Sequence, residues 1–111
     1  MDQYHEPTSE LSDTSRDITR ALMSLKEEIE AIDWYNQRMD VCTDARLKEI
    51  LAHNRDEEME HACMMLEWLR QNMSGWDEQI RAYLFAETAG EEKNTNEMPG
   101  QGELGLGRIK K

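Results

Sequence analysis

Residues 47–68, LKEILAHNRDEEMEHACMMLEW, decide the fold of this chain. One face of the stretch is made of residues spaced alternately by four and three positions: Leu47, Leu51, Asn54, Glu58, His61, Met65 and Trp68. This spacing puts side chains on one side of an α-helix. Most of that side is apolar, but Glu58 and His61 occupy two successive positions at its centre. We expect a long amphipathic helix with an ionisable pair inside its apolar stripe.

A second stripe of the same kind lies upstream. Its members are Ile18, Leu22, Leu25, Ile29 and Ile32, and the pattern continues to about Met39. Thr8 or Ser9 offers a helix cap, which predicts that this helix starts near residue 9. Capping residues near the end of Asp40–Asp44 predict a tight turn into the helix described above. Each helix has about 30 residues and would be ~45 Å long.

The remainder of the chain changes in character twice. Ser74 and Gly75 interrupt the helical pattern, and Trp76–Glu87 is typical of a short third helix. Gly, Glu, Asn and Thr then dominate up to residue 103. We therefore expect a flexible N-terminus (1–8), a helical domain (9–87), a flexible linker (88–103) and a separate C-terminal segment (104–111).

Composition narrows the possible functions. The chain has 111 residues, room for one domain, and a formal net charge of −11. This charge disfavours nucleic acid and anionic membrane surfaces as partners and attracts cations. No apolar run approaches the ~20 residues that span a bilayer, and the N-terminus does not resemble a signal peptide, so we expect an intracellular, cytoplasmic protein. Cys42 and Cys63 are expected to be reduced, buried thiols.

Two long antiparallel helices with one-sided apolar stripes cannot bury those stripes fully against each other. Four such helices from two chains can do so as a bundle. The sequence therefore predicts an all-α fold, in which an antiparallel two-helix hairpin and a short C-terminal helix form half of a four-helix bundle. Dimerisation would complete the bundle.

Three residues are candidate metal ligands. Glu58 and His61 form a Glu-x-x-His pair, and Glu28 lies on the flank of the first stripe, where it can face the same interior. A carboxylate inside an apolar stripe costs several kcal/mol unless it is paired or bound to metal. Di-iron carboxylate bundles take one Glu from each of two helices and Glu-x-x-His from each of the other two. Two chains would supply four Glu and two His, enough for two irons per dimer.

Other interpretations of these residues remain open. Glu-x-x-His is common on acidic helices, so a structural hairpin without metal is an alternative. Glu57 and Glu60 are competing carboxylates that fall on the polar faces, and His53 is more often the partner of a neighbouring carboxylate. The acidic cluster that includes Glu27, Glu28, Glu30 and Asp33, next to Trp34 and Tyr35, is either an exposed face with two interface aromatics or a region that attracts Fe(II) to the site.

The chain resembles the encapsulated ferritins. The similarity lies in residues 27–38 (EEIEAIDWYNQR), 50–62 (ILAHNRDEEMEHA), 66–70 (LEWLR) and 83–85 (YLF), and it covers roughly residues 9–87. The resemblance implies a ferritin-like bundle whose ferroxidase ligands are Glu28, Glu58 and His61 from each of two chains. It also implies secondary metal ligands at Glu27 and Glu30, and aromatic residues flanking the site at Trp34 and Tyr35.

The resemblance also implies partners and an activity. The family forms a ring of five metal-bridged dimers, a homodecamer, that works inside an encapsulin shell, and residues 104–111 (LGLGRIKK) resemble its encapsulation-targeting peptides. Arg108 stands where a small polar residue is more usual. The implied function is oxidation of Fe(II) to Fe(III) by oxygen for iron storage. A di-iron oxygen or peroxide reductase is the alternative, but hemerythrin sites contain more His, and the Cys-rich module of rubrerythrin is absent.

Overall fold

The computed structural model describes residues 4–85. Within that range the chain forms a single turn of 3₁₀ helix at Thr8–Glu10, a long helix α1 at Asp13–Val41, a second long helix α2 at Ala45–Asn72, and a short helix α3 at Trp76–Tyr83. The described residues form no β-strand. The predicted all-α fold, with two long packed helices and a short third one, is confirmed.

The first helix starts later than its sequence predicted. The Ser12 hydroxyl caps α1 by accepting a hydrogen bond from the Ser15 amide at 3.0 Å, so the prediction of a start near residue 9 was wrong by four residues. Leu11 has extended backbone, which separates the 3₁₀ turn from α1. Arg16 holds the two together, because its Nη1 donates to the carbonyl oxygens of Thr8 at 2.8 Å and Leu11 at 2.7 Å.

The predicted turn between the long helices is present. α1 ends at Val41, and the Asp44 carboxylate caps α2 by accepting a hydrogen bond from the Leu47 amide at 2.8 Å. A connection this short makes the two helices antiparallel neighbours. Both cysteines are free thiols. Cys42 is half-buried and Cys63 is exposed, so the expectation of buried thiols was wrong for both residues in the single chain.

A single hairpin buries little of its apolar surface. Among the described residues only Ala21 on α1 and Leu69 on α2 are fully buried apolar side chains. Large apolar side chains remain exposed along both long helices: Ile29, Trp34, Val41, Leu47, Ile50, Met59, Met64 and Trp68. Two stacked helices can cover only one stripe each, so apolar surface of this extent is typical of a helix pair that packs against further helices.

Residues 75–85 belong to a second unit, described here by itself. Gly75 precedes α3 with φ +103°, a backbone conformation that favours glycine. α3 is shorter than the predicted Trp76–Glu87, because Leu84 is extended and Phe85 adopts φ +60°. No helix in the described part of the chain is long and apolar enough to cross a membrane. The predicted linker (88–103) and C-terminal segment (104–111), like residues 1–3 and 86–87, lie outside the described residues.

Candidate metal centre

The structure brings the three predicted ligands together. Glu28 on α1 and Glu58 and His61 on α2 each offer one ligand atom, and these atoms all lie within 4.8 Å of one another. His61 Nδ1 is 3.3 Å from Glu58 Oε1 and 3.7 Å from Glu28 Oε1. Within residues 4–85 this is the group of three or more His, Cys, Asp or Glu side chains that could hold a metal ion.

The lengths of the helices explain why these residues meet. Glu28 lies thirteen residues before the end of α1 at Val41, and Glu58 lies thirteen residues after the start of α2 at Ala45. Antiparallel helices joined by a short turn bring such positions to the same level. His61 follows Glu58 by three residues, so one helical turn places both side chains on the same face of α2.

The cluster is partly open to solvent. The side chains of Glu28 and Glu58 keep 25% and 24% of their surface exposed, and that of His61 keeps 50%. The pKa of Glu28 is raised above its ordinary value of 4.5, first by the hydrogen bond between the Glu28 and Glu58 side chains, then by burial and by the negative charge of Glu58. His61 opposes this increase. A bound cation would act against this increase, because it stabilises the ionised form of the Glu28 carboxylate.

The donor set fits a divalent transition metal. Two carboxylates and one imidazole are the ligand types that iron, manganese and zinc accept. One chain offers three donor atoms, however, which is fewer than the four to six that such ions bind. The remaining ligands would have to come from water or another chain, and the half-exposed side chain of His61 leaves the site accessible to them.

The other predicted residues lie outside this cluster. Glu27 and Glu30 are exposed on α1, and Trp34 keeps 52% of its surface exposed. Tyr35 is half-buried, and the Arg38 guanidinium lies over its ring, 5.2 Å from the centroid. The roles expected of these four residues in metal uptake and around the site stay predictions.

The competing candidates His53, Glu57 and Glu60 lie outside the three-ligand group. His53 Nε2 lies 3.1 Å from Glu57 Oε2 on the exposed side of α2, so His53 is paired with a neighbouring carboxylate, as expected. Glu60 is also exposed, and neither Glu57 nor Glu60 joins the three-ligand group. Of the acidic side chains in residues 56–60, only Glu58 is partly buried and belongs to the group with Glu28 of α1.

Sequence reasoning missed one polar contact beside the site. Arg55 Nη1 on α2 donates a hydrogen bond to Asn36 Oδ1 on α1 at 3.1 Å. The signal in the sequence was weak: Arg55 precedes Glu58 by one helical turn, but arginine side chains are mostly exposed. The side chain in fact keeps only 24% of its surface exposed.

Comparisons with known proteins identify the family to which this chain is similar. The sequence model of the EncFtn-like family matches residues 3–87. A ferritin-like protein of Thermotoga maritima is 54% identical over 97% of this chain and 98% of its own length. An encapsulated ferritin-like protein of Rhodospirillum rubrum is 46% identical over 96% of this chain and 86% of its own length.

A solved structure supports the same assignment. The crystal structure of a protein from Nitrosomonas europaea has a TM-score of 0.73 and 58% sequence identity, and it covers 77% of this chain and 93% of its own. The predicted resemblance to the encapsulated ferritins is confirmed. With a family match over most of its length and two relatives of nearly full coverage, this chain belongs to the EncFtn-like family.

Proposed function

We propose that this protein is a ferroxidase that oxidises Fe(II) to Fe(III) with oxygen at a site shared by two chains. The observation that carries the proposal is the meeting of Glu28, Glu58 and His61 within 4.8 Å of one another on the half-open face between α1 and α2. The names of the relatives, ferritin-like and encapsulated ferritin-like, support a role in iron handling.

The residues of the site suit Fe(II) as a substrate. The side-chain hydrogen bond with Glu58, then burial and the Glu58 charge, raise the pKa of Glu28, and bound Fe(II) would favour the ionised form of this carboxylate. Two carboxylates then face the ion, and their negative charge stabilises Fe(III) more than Fe(II), which favours loss of an electron. Each Fe(II) gives one electron to oxygen, the terminal acceptor.

A second chain would complete the site. One chain supplies two carboxylates and one imidazole, whereas a pair would supply four carboxylates and two imidazoles for two irons. The apolar side chains left exposed along α1 and α2 provide the surface on which another helix pair can pack. We propose that such dimers build a ring, a decamer of five dimers by family resemblance, in the cytoplasm.

The C-terminal segment extends the proposal to a partner. In residues 104–111 apolar residues alternate with glycine before a basic end, so an extended peptide could press close to a groove. We propose that this segment docks the protein inside an encapsulin shell, where the Fe(III) product would be stored.

Iron oxidation by single variants tests the catalytic proposal. Glu58→Gln and His61→Ala should each lower the rate of oxygen consumption with Fe(II) by at least about tenfold, because each removes a ligand. Glu57→Gln, a change of the same chemistry on the exposed side of α2, is the matched control and should stay close to wild type. Equal losses in Glu57→Gln and Glu58→Gln would mean that the site lies on the other face of α2.

The sharing of the site has its own test. Wild-type protein separated on a sizing column with light-scattering detection should oxidise Fe(II) in oligomeric fractions only. A fully active monomer would contradict the shared site. Iron analysis of the same fractions separates a ferroxidase from a helical module that binds no metal, since the second would contain no iron above the Glu58→Gln level.

A further inference from the structure

A polar contact outside the three ligands joins the two long helices beside the candidate site. Arg55 Nη1 on α2 donates to Asn36 Oδ1 on α1 at 3.1 Å. The Nε and Nη2 atoms of Arg55 each lie 3.3 Å from Asp56 Oδ1. One edge of the guanidinium, formed by Nε and Nη2, thus contacts an acidic neighbour on its own helix, while Nη1 reaches across to the other helix.

This contact lies nearer to the turn between α1 and α2 than the metal ligands do. Asn36 follows Glu28 by eight residues on α1, and Arg55 precedes His61 by six on α2. Because the helices run antiparallel, both residues lie on the turn side of the ligands, by about 12 Å along α1 from Glu28 and about 9 Å along α2 from His61. The two buried apolar side chains lie on the opposite side of the ligands, away from the turn: Ala21 precedes Glu28 by seven residues, and Leu69 follows His61 by eight. Along the hairpin, the ligands therefore lie between these two buried side chains and the Asn36–Arg55 hydrogen bond.

The register of α1 against α2 needs such a constraint. With two fully buried apolar side chains in the described residues, packing within one hairpin holds the helices only weakly against sliding. A slide by one residue would move Glu28 by about 1.5 Å relative to Glu58 and rotate it away from the shared face. Such a shift would separate the ligand atoms, and a metal site loses function when its ligands are misplaced by about 1 Å.

We propose that Asn36 and Arg55 act together as positioning residues, which hold α1 and α2 in the register that brings Glu28 to Glu58 and His61. The inference rests on the proposed function, since it assigns the pair a role in the same metal centre. Neither residue is among the three candidate metal ligands, and Asn36 is exposed on α1. Their proposed role is therefore to position the ligands and not to bind the ion.

Cobalt(II) binding to the full-length, metal-stripped chain tests this role. Co(II) reports its affinity and its coordination geometry through its visible absorption spectrum. Asn36→Ala and Arg55→Met should each weaken Co(II) binding by about tenfold, the lower end of the range found for residues that orient metal ligands. The double variant should lose no more than either single variant, because both remove the same interaction. Asp56→Asn keeps the cross-helix hydrogen bond and should change the affinity by less than about twofold.

Each outcome bears on the inference. A lower midpoint of thermal unfolding with unchanged Co(II) affinity and spectrum would overturn it, because the pair would then serve stability alone. Losses that add in the double variant would mean that the two residues act separately, and a tenfold loss in Asp56→Asn would mean that Arg55 acts through its own helix. If Arg55→Met fails to fold, Asn36→Ala decides the matter, since Asn36 is exposed. Wild-type protein that binds no Co(II) would instead overturn the proposed function.

Discussion

Replacing Glu28 by Gln should stabilise the metal-free protein while removing its response to metal. Glu28 and Glu58 offer ligand atoms within 4.8 Å of each other. At that separation two negative charges repel by about 3.5 kcal/mol at an effective dielectric constant of about 20, and by about 1 kcal/mol in bulk water. Both side chains keep about a quarter of their surface in solvent, so the screened value lies nearer the lower figure. We expect Glu28→Gln to raise the free energy of unfolding at neutral pH by about 1–2 kcal/mol.

The sign of the pH dependence follows from the raised pKa of Glu28. The folded protein binds this proton more tightly than the unfolded chain, in which the carboxyl has its ordinary value of 4.5. The free energy of unfolding therefore falls as the pH rises from about 4.5 through the raised pKa, and the loss is complete above that pKa. Glu28→Gln removes this loss, so wild type and variant should converge below about pH 4.

Thermal unfolding followed by circular dichroism in chelator measures both effects. One kcal/mol corresponds to about 4–8 °C in a helical domain of this size, so the midpoint at neutral pH should rise by at least about 4 °C. Glu60→Gln removes one exposed negative charge from the same acidic chain and corrects for general charge repulsion. Added Co(II) should stabilise wild type and Glu60→Gln but not Glu28→Gln. A Glu28→Gln midpoint equal to that of Glu60→Gln at neutral pH would refute the argument.

Three further predictions concern assembly, uptake and location. Removal of divalent metal by chelation should shift the oligomer towards smaller species on a sizing column, because converging carboxylates repel when no cation lies between them; an unchanged profile would mean that apolar packing alone holds the assembly. Joint replacement of Glu27 and Glu30 by Gln should raise the Fe(II) concentration that gives half-maximal oxidation while leaving the maximal rate intact, and a lower maximal rate would assign them to the site itself. Deletion of 104–111 should leave Fe(II) oxidation unchanged and eliminate co-purification with a co-expressed encapsulin shell; continued packaging would give the segment another role.

The sequence predicted the features in which ionisable residues recur at the spacing of an α-helix. The spacing of Glu58 and His61 within an apolar stripe located both residues on one face of α2, and Asp44 as a cap fixed where that helix begins. These features are local, so they can be deduced from neighbouring residues alone. The pairing of Glu28 with Glu58 followed because a short turn leaves one antiparallel arrangement for two helices of nearly equal length.

Features that depend on distant contacts or on side-chain detail were harder to predict. The start of α1 was misplaced because Arg16 stabilises a separate 3₁₀ turn through two carbonyl groups, a choice that capping preferences at Thr8 and Ser9 do not reveal. The Arg55–Asn36 hydrogen bond was not predicted, because it too depends on a contact between residues distant in sequence. A charged residue in the middle of an acidic helix is usually solvated, and only the relative rotation of the two helices decides whether it reaches across.

The three-residue connection at Cys42–Asp44 also determines that the hairpin folds before chains associate. Contacts between α1 and α2 spread outward from the turn, so the first of them close short loops, and loops of about ten residues close within about 10–100 ns. Proteins dominated by such local contacts fold in microseconds to milliseconds. A hairpin can therefore form on each chain by itself soon after synthesis. Any pairing of chains is then a meeting between preformed hairpins, and its rate depends on protein concentration, whereas the rate of hairpin formation does not.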